Sequence, residues 1–126
     1  MTTRLAIILA GILGLTAVIA GTFGAHGLEG RISDEMLRIW EVGVRYQVFH
    51  ALAILALAGM LDKLGKPAQV AAWCWAVGAV IFAGSLYLLV LTGQRWLGAV
   101  TPIGGVGFIA GWVCVSVAAV RAKPQV

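Results

Sequence analysis

The chain has 126 residues, of which 61% are hydrophobic and only 11% charged, against roughly 25% charged in an ordinary soluble domain. That composition excludes a soluble catalytic domain. A membrane helix takes roughly 20 apolar residues, so four spans use about 80 and leave only short connections. The formal net charge of +4 comes from nine Lys and Arg residues scattered between apolar runs. Such scatter marks membrane flanks, not the clustered basic face that binds nucleic acid. The fold expected is therefore all-α: four transmembrane helices in one compact bundle, with no second domain.

The first span is expected over about 5–25, after Arg4. Its apolar run is longer than the roughly 7–15 residues of a secretory signal, and it is read as a retained helix. Small residues recur at Ala10, Gly14, Ala17, Gly21 and Ala25, a spacing that lets a neighbouring backbone come close. Ser33 is a good N-cap for a second helix, with Asp34 and Glu35 in the first turn where the helix dipole favours negative charge. No breaker appears before Leu61. A helix over 34–61 is about 42 Å long, about 12 Å more than the hydrocarbon core requires. The excess is expected as an amphipathic segment over 34–45 leading into a span over 42–61. There Leu37, Trp40 and Val44 form an apolar stripe, Asp34, Arg38, Glu41 and Arg45 stand at pairing distance along the helix, and Gly43 permits a bend.

A polar turn with Asp62, Lys63, Gly65, Lys66 and Pro67 precedes a third span over about 70–91, where Ala72, Ala76, Ala79 and Ala83 form a small-residue stripe. The fourth span is expected over 101–120, with Thr101 as N-cap and Pro102 at the first helical position. Residues 95–100 then form an interfacial connection, Gly107 and Gly111 a close-contact face, and Arg121 and Lys123 the far flank. Trp73 and Trp75 are expected at one membrane interface, Trp40 and Trp96 at the other. Four spans put both termini on one side with Arg4, Lys63, Lys66, Arg121 and Lys123, against Arg31, Arg38, Arg45 and Arg95 opposite. The positive-inside rule then favours cytoplasmic termini in the cell (inner) membrane.

Chemistry-bearing residues concentrate in the half of the bundle away from the termini. If the second helix enters hydrocarbon near Val42, His50 lies about 12 Å deep, with Tyr46 and Gln47 one turn above it. Ser85 and Tyr87 sit at about 9 and 6 Å on the third span. His26 and Thr101 lie near the same surface. These residues, with Arg45, are expected to line one partly polar recess, with Tyr46, Gln47 and His50 on a shared helix face. The plainer reading is that each polar group bonds within the bundle and that Arg45 reaches up to the interface. Cys74 and Cys114 lie inside apolar runs and match no metal, haem-attachment or redox spacing. Without Asn the chain has no N-glycosylation acceptor.

Four ordered motifs carry a resemblance: residues 21–28 (Gly-Thr-Phe-Gly-Ala-His-Gly-Leu); Tyr46-Gln47 with His50-Ala51-Leu52-Ala53; Gly84-Ser85-Leu86-Tyr87 with Leu91-Thr92-Gly93; and Leu97-Gly98 with Thr101-Pro102-Ile103-Gly104-Gly105. With them the chain resembles the domain of unknown function 423 family of small multi-pass membrane proteins, to which eukaryotic transmembrane protein 256 is similar. Thr22 stands where that pattern leads one to expect Ala. The resemblance implies a membrane address and a family fold, and supplies no reaction or cofactor.

The function expected is therefore non-enzymatic: an accessory, assembly or helix-association protein whose partners are the bilayer and other membrane subunits or further copies of itself. The alternative is binding or transport of a small solute, lipid head group or proton through the recess. A third reading, haem or metal ligation by His26 and His50, lacks a deep carboxylate or a Cys-x-x-Cys-His motif. No cofactor is expected.

Overall fold

Long apolar runs interrupted only at Gly, Pro and charge clusters leave the backbone one way to satisfy its hydrogen bonds in hydrocarbon, as helix. The computed structural model describes residues 1–122, and among them four helical segments are long and apolar enough to cross a membrane. Helix α1 (Thr3–Phe23) runs on into a π-helical turn, Gly24–Leu28. Helix α2 (Asp34–Ala58) is followed by the single turn α3 (Leu61–Leu64), then by α4 (Lys66–Thr92), a 3-10 turn (Arg95–Ala99) and α5 (Thr101–Arg121). Lys123 lies outside the described residues.

The caps explain most of these limits. Ser33 accepts from the backbone N–H of Met36, and Thr2 caps α1 in the same way through Leu5. Helix α4 begins at Lys66, earlier than the apolar run suggests, because Pro67 fits the first turn. It ends at Gly93, whose left-handed backbone (φ 71°, ψ 7°) returns its N–H to the Leu89 carbonyl. Two expectations are corrected. Helix α2 does not run unbroken to Leu61 but stops at Ala58, with Gly59 as its cap. Thr101 is not an N-cap: Val100 holds that position, and the Thr101 hydroxyl reaches back to Leu97 and across to Ser85.

Helices α2 and α4 form the central pair, α1 lies against α2, α5 lies against α4, and α1 and α4 touch little. The end carrying Met1 is tied down by two hydrogen bonds, from the terminal ammonium to Gln69 at 3.2 Å and from Thr3 to the Ala58 carbonyl at 3.1 Å. Lipid tails are as apolar as leucine, so these helices associate through close van der Waals contact and not through burial from water. The core is accordingly rich in alanine, with Ala6, Ala68, Ala71, Ala72, Ala79 and Ala118 fully enclosed around Ile54, Leu61 and Trp75.

Helix α5 meets α4 along Gly104, Gly107 and Gly111. A Cβ on Gly104 would fall 2.5 Å from the Phe82 backbone nitrogen, one on Gly107 3.1 Å from the Cys74 carbonyl oxygen, and one on Gly111 would collide with the Trp75 indole. The buried face of α1 runs through Ala6, Ala10, Leu13 and Ala17. Gly14 is not part of that contact, since nothing lies within 4 Å of a Cβ built there, and Ala25 is exposed. A Cβ on Gly21 would lie 3.4 Å from the Val44 side chain. Gly43 is not a bend but the landing point of Tyr87, whose ring would come within 2.9 Å of a Cβ.

Two of the four supposed interfacial tryptophans are core residues. Trp75 is 2% exposed and its indole N–H donates to the Phe108 carbonyl at 3.3 Å. Trp40 is 4% exposed and donates to the Ala20 carbonyl at 2.8 Å. Trp73 and Trp96 remain on the surface. The expected pairing among Asp34, Arg38, Glu41 and Arg45 is absent too. Among the described residues the ion pair is Glu35 with Arg95, 3.8 Å apart and well exposed, joining α2 to the 3-10 turn; such a contact contributes little to stability.

Gly104→Ala is expected to destabilise the protein by about 1–3 kcal/mol, because the added methyl meets backbone that has no rotamer to yield. Gly14→Ala is expected to leave thermal unfolding in detergent unchanged or slightly improved, and comparing the two melting temperatures checks the assignment of the tight seam to α4 and α5.

Candidate functional site

In hydrocarbon a polar side chain needs a partner, and the α-helix sets which residues can share one. Adjacent residues on a helix point about 100° apart. Tyr46 and Gln47 accordingly face different neighbours, and the polar residues of this half do not converge on a single recess. They divide into separate clusters.

Gln47 turns toward α1 and α4 and is 5% exposed. Its amide nitrogen donates to the Leu13 carbonyl at 2.9 Å and to the Thr16 hydroxyl at 2.7 Å, and its amide oxygen accepts from the Tyr87 hydroxyl at 2.9 Å. One side chain thus links α1, α2 and α4. Thr16 passes its own proton back to the Ile12 carbonyl at 2.8 Å. The Tyr87 ring lies against Trp40, centroids 4.4 Å apart, and Trp40 meets Phe23 edge-on at 5.6 Å.

His50 turns the other way, toward α5. It is 4% exposed and lies flat on Phe108, with centroids 3.5 Å apart and planes within 6°. Its Nδ1 is 2.8 Å from the Tyr46 carbonyl, and the Trp112 indole N–H reaches its Nε2 at 3.3 Å. A carbonyl only accepts and an indole N–H only donates, so these partners together specify a neutral ring with its proton on Nδ1. Tyr46 sits over the same cluster, 4.9 Å from Phe82 and 6.1 Å from Phe108 between centroids.

A third pair closes the seam between α4 and α5. The Ser85 and Thr101 hydroxyls lie 2.7 Å apart, and Ser85 also donates to the Phe82 carbonyl at 2.9 Å. Arg45 lies apart from all three clusters, exposed and bordering a depression of about 390 Å³ with Glu41, Trp40 and Gly24. His26, also exposed, is on the π-helical turn beside Thr22 and Phe23. The two histidines share no groove. Among the described residues no three His, Cys, Asp or Glu side chains come together as metal ligands, and every enclosed side-chain nitrogen or oxygen has a hydrogen-bond partner.

What the polar residues leave open are two lateral grooves, neither visible in the sequence. One, of about 600 Å³, lies between α1 and α4 with Gln47 and Tyr87 on its walls. It shares Ile12, Leu13 and Val80 with a smaller apolar groove of about 280 Å³ that reaches Trp73. The other, of about 640 Å³, lies between α2 and α5 and is lined largely by aromatic rings. Both exist because α1 is placed against α2 and α5 against α4, so that neither outer helix closes the far side of the pair.

Comparison with known proteins agrees with a membrane address. The family described as a protein of unknown function (DUF423) matches residues 20–105. The UPF0382 membrane protein YwdK of Bacillus subtilis is 49% identical, over 91% of this chain and 95% of its own. UPF0382 membrane proteins of Staphylococcus haemolyticus and Staphylococcus aureus are each 44% identical, covering 87% and 91% of this chain and 90% and 94% of their own. No solved structure matches.

Tyr87→Phe leaves the Gln47 amide oxygen without its donor and is expected to destabilise by about 0.6–2 kcal/mol. In a double-mutant cycle with Gln47→Leu, the second change is expected to cost less once the first is made, and unfolding in detergent reads that coupling. Strict additivity would show that the hydrogen bond contributes nothing.

Proposed function

Because the chain belongs to the DUF423 family of membrane proteins, with no three His, Cys, Asp or Glu side chains placed to hold a metal among its described residues, we propose that it is a non-catalytic accessory protein of the cell membrane. It holds a transmembrane helix of another subunit in the groove between α1 and α4. The observation that carries this reading is the extent of the groove. With its smaller continuation it follows α4 from Trp73 to Leu91, about 27 Å of helix, close to the roughly 30 Å of a hydrocarbon core. Its walls include Ala20, Ala76, Ala79, Ala83 and Gly84, and nothing lies within 4 Å of a Cβ on Gly84. Small residues along a bilayer-deep groove suit close approach of another helix backbone. Passage of a solute or proton has less support, since the hydrogen bonds of Gln47, His50 and Ser85 end within the chain, on different helix faces.

A photo-crosslinking residue at Val80, on the groove wall, is expected to give a discrete protein adduct in native membranes. The same residue at Val113, exposed on α5 and outside the grooves described, is expected to label lipid alone. Lipid-only labelling from both positions would overturn the accessory reading.

We also infer that both termini face the cytoplasm, from Arg4, Lys63, Lys66 and Arg121 on their side of the membrane. A reporter that is active only in the cytoplasm, fused after Val126, is expected to be active. The same reporter inserted after Gly30 is expected to be silent, and the reverse pattern would invert the topology.

A further inference from the structure

The groove between α2 and α5 differs in chemistry from the one between α1 and α4, and nothing in the accessory role uses it. Its volume of about 640 Å³ falls in the range of small-molecule sites, roughly 300–1,000 Å³. Tyr46, His50, Phe82, Phe108 and Trp112 line it. Buried His50 and Phe108 form the base, while Tyr46 and Trp112 are 40% and 51% exposed. The rings of Tyr46, His50 and Phe108 lie within 15° of one another, and aromatic faces of this kind favour offset stacking with a further planar ring.

The polar capacity of the groove is one-sided. His50 is occupied at both nitrogens, by the Tyr46 carbonyl and by the Trp112 N–H. The phenolic O–H of Tyr46 makes no hydrogen bond to the described residues, whereas that of Tyr87 is taken up by Gln47. An O–H donor at the wall of a groove open to hydrocarbon is best satisfied by an acceptor on whatever enters. Gly105 keeps space there: a Cβ on it would touch only the edge of the Phe82 ring, at 4.0 Å.

From these features we propose that the groove between α2 and α5 binds a membrane-soluble, planar ring bearing a carbonyl acceptor, the chemistry of a lipid quinone, with Tyr46 as hydrogen-bond donor. The ring enters sideways from the bilayer and stacks within the aromatic groove, and an apolar tail stays in the lipid. No electron transfer is implied. The site is on the opposite side of the α2–α4 pair from the helix-binding groove, so loss of the Val80 adduct leaves this inference standing, and the converse holds.

The test uses the full chain in phospholipid nanodiscs loaded with a naphthoquinone carrying a short isoprenoid tail, and reads retained ligand by native mass spectrometry across a concentration series. One quinone per chain is expected to be retained. Gly105→Leu, which fills the groove, is expected to weaken retention at least tenfold, and Tyr46→Phe about fivefold, the effect of one hydrogen bond. Gly14→Leu, on an open face of α1, is expected to leave it unchanged. If Gly105→Leu fails to fold by circular dichroism, Gly105→Ala and Tyr46→Phe decide, with a decrease expected in both. Retention of phospholipid alone, or equal quinone retention by wild type and groove variants, would overturn the proposal.

Discussion

Gln47 places every hydrogen-bonding group of its amide inside the bundle, and the arrangement of three helices follows from that. In water such a side chain could exchange partners with solvent, but in hydrocarbon an unpaired amide is costly, so its position fixes where α1 and α4 must stand. The Leu13 carbonyl and Thr16 hydroxyl hold α1 against α2, and the Tyr87 hydroxyl holds α4. Tyr87 reaches this point because Gly43 leaves room for its ring where a Cβ would collide, and Trp40 packs against that ring. A polar residue and a glycine on α2, four positions apart, thus do the work that a larger hydrophobic core does in a soluble domain.

The opposite face of α2 follows a different principle. There His50 is held by stacking on Phe108 and by two hydrogen bonds whose directions allow only the neutral ring. Helix α5 is brought in by its glycines, and Ser85 and Thr101 close the end of the seam. One face of the α2–α4 pair is thus joined to its outer helix by amide hydrogen bonds and the other by aromatic contact. Each leaves a groove of similar volume, the one beside α1 walled in part by Ala and Gly with Gln47 and Tyr87, the one beside α5 largely by aromatic rings.

Much of the fold was legible in residue order. The apolar runs, the Ser33 cap, the Pro102 start and the glycine spacing on α5 are local signals, and local hydrogen bonding obeys them. Tryptophan was misread because composition places it at interfaces, whereas Trp40 and Trp75 each find a carbonyl for the indole N–H and so can be buried. The charged residues of the amphipathic segment were misread because helical spacing permits pairing without requiring it. Glu35 instead meets Arg95, which is remote in sequence.

The sequence by itself determined the solvent, the number of spans and the set of residues rich in hydrogen-bonding chemistry, because hydropathy and helix caps act over one or two turns. Whether those residues formed one recess or several could not be decided at that range. Tyr46, Gln47 and His50 are close in depth, but the rotation of α2 sends Gln47 toward Leu13 and Tyr87 and His50 toward Phe108 and Trp112. That rotation is set by which neighbours lie on each side, α1 at one and α5 at the other, and only tertiary packing supplies them.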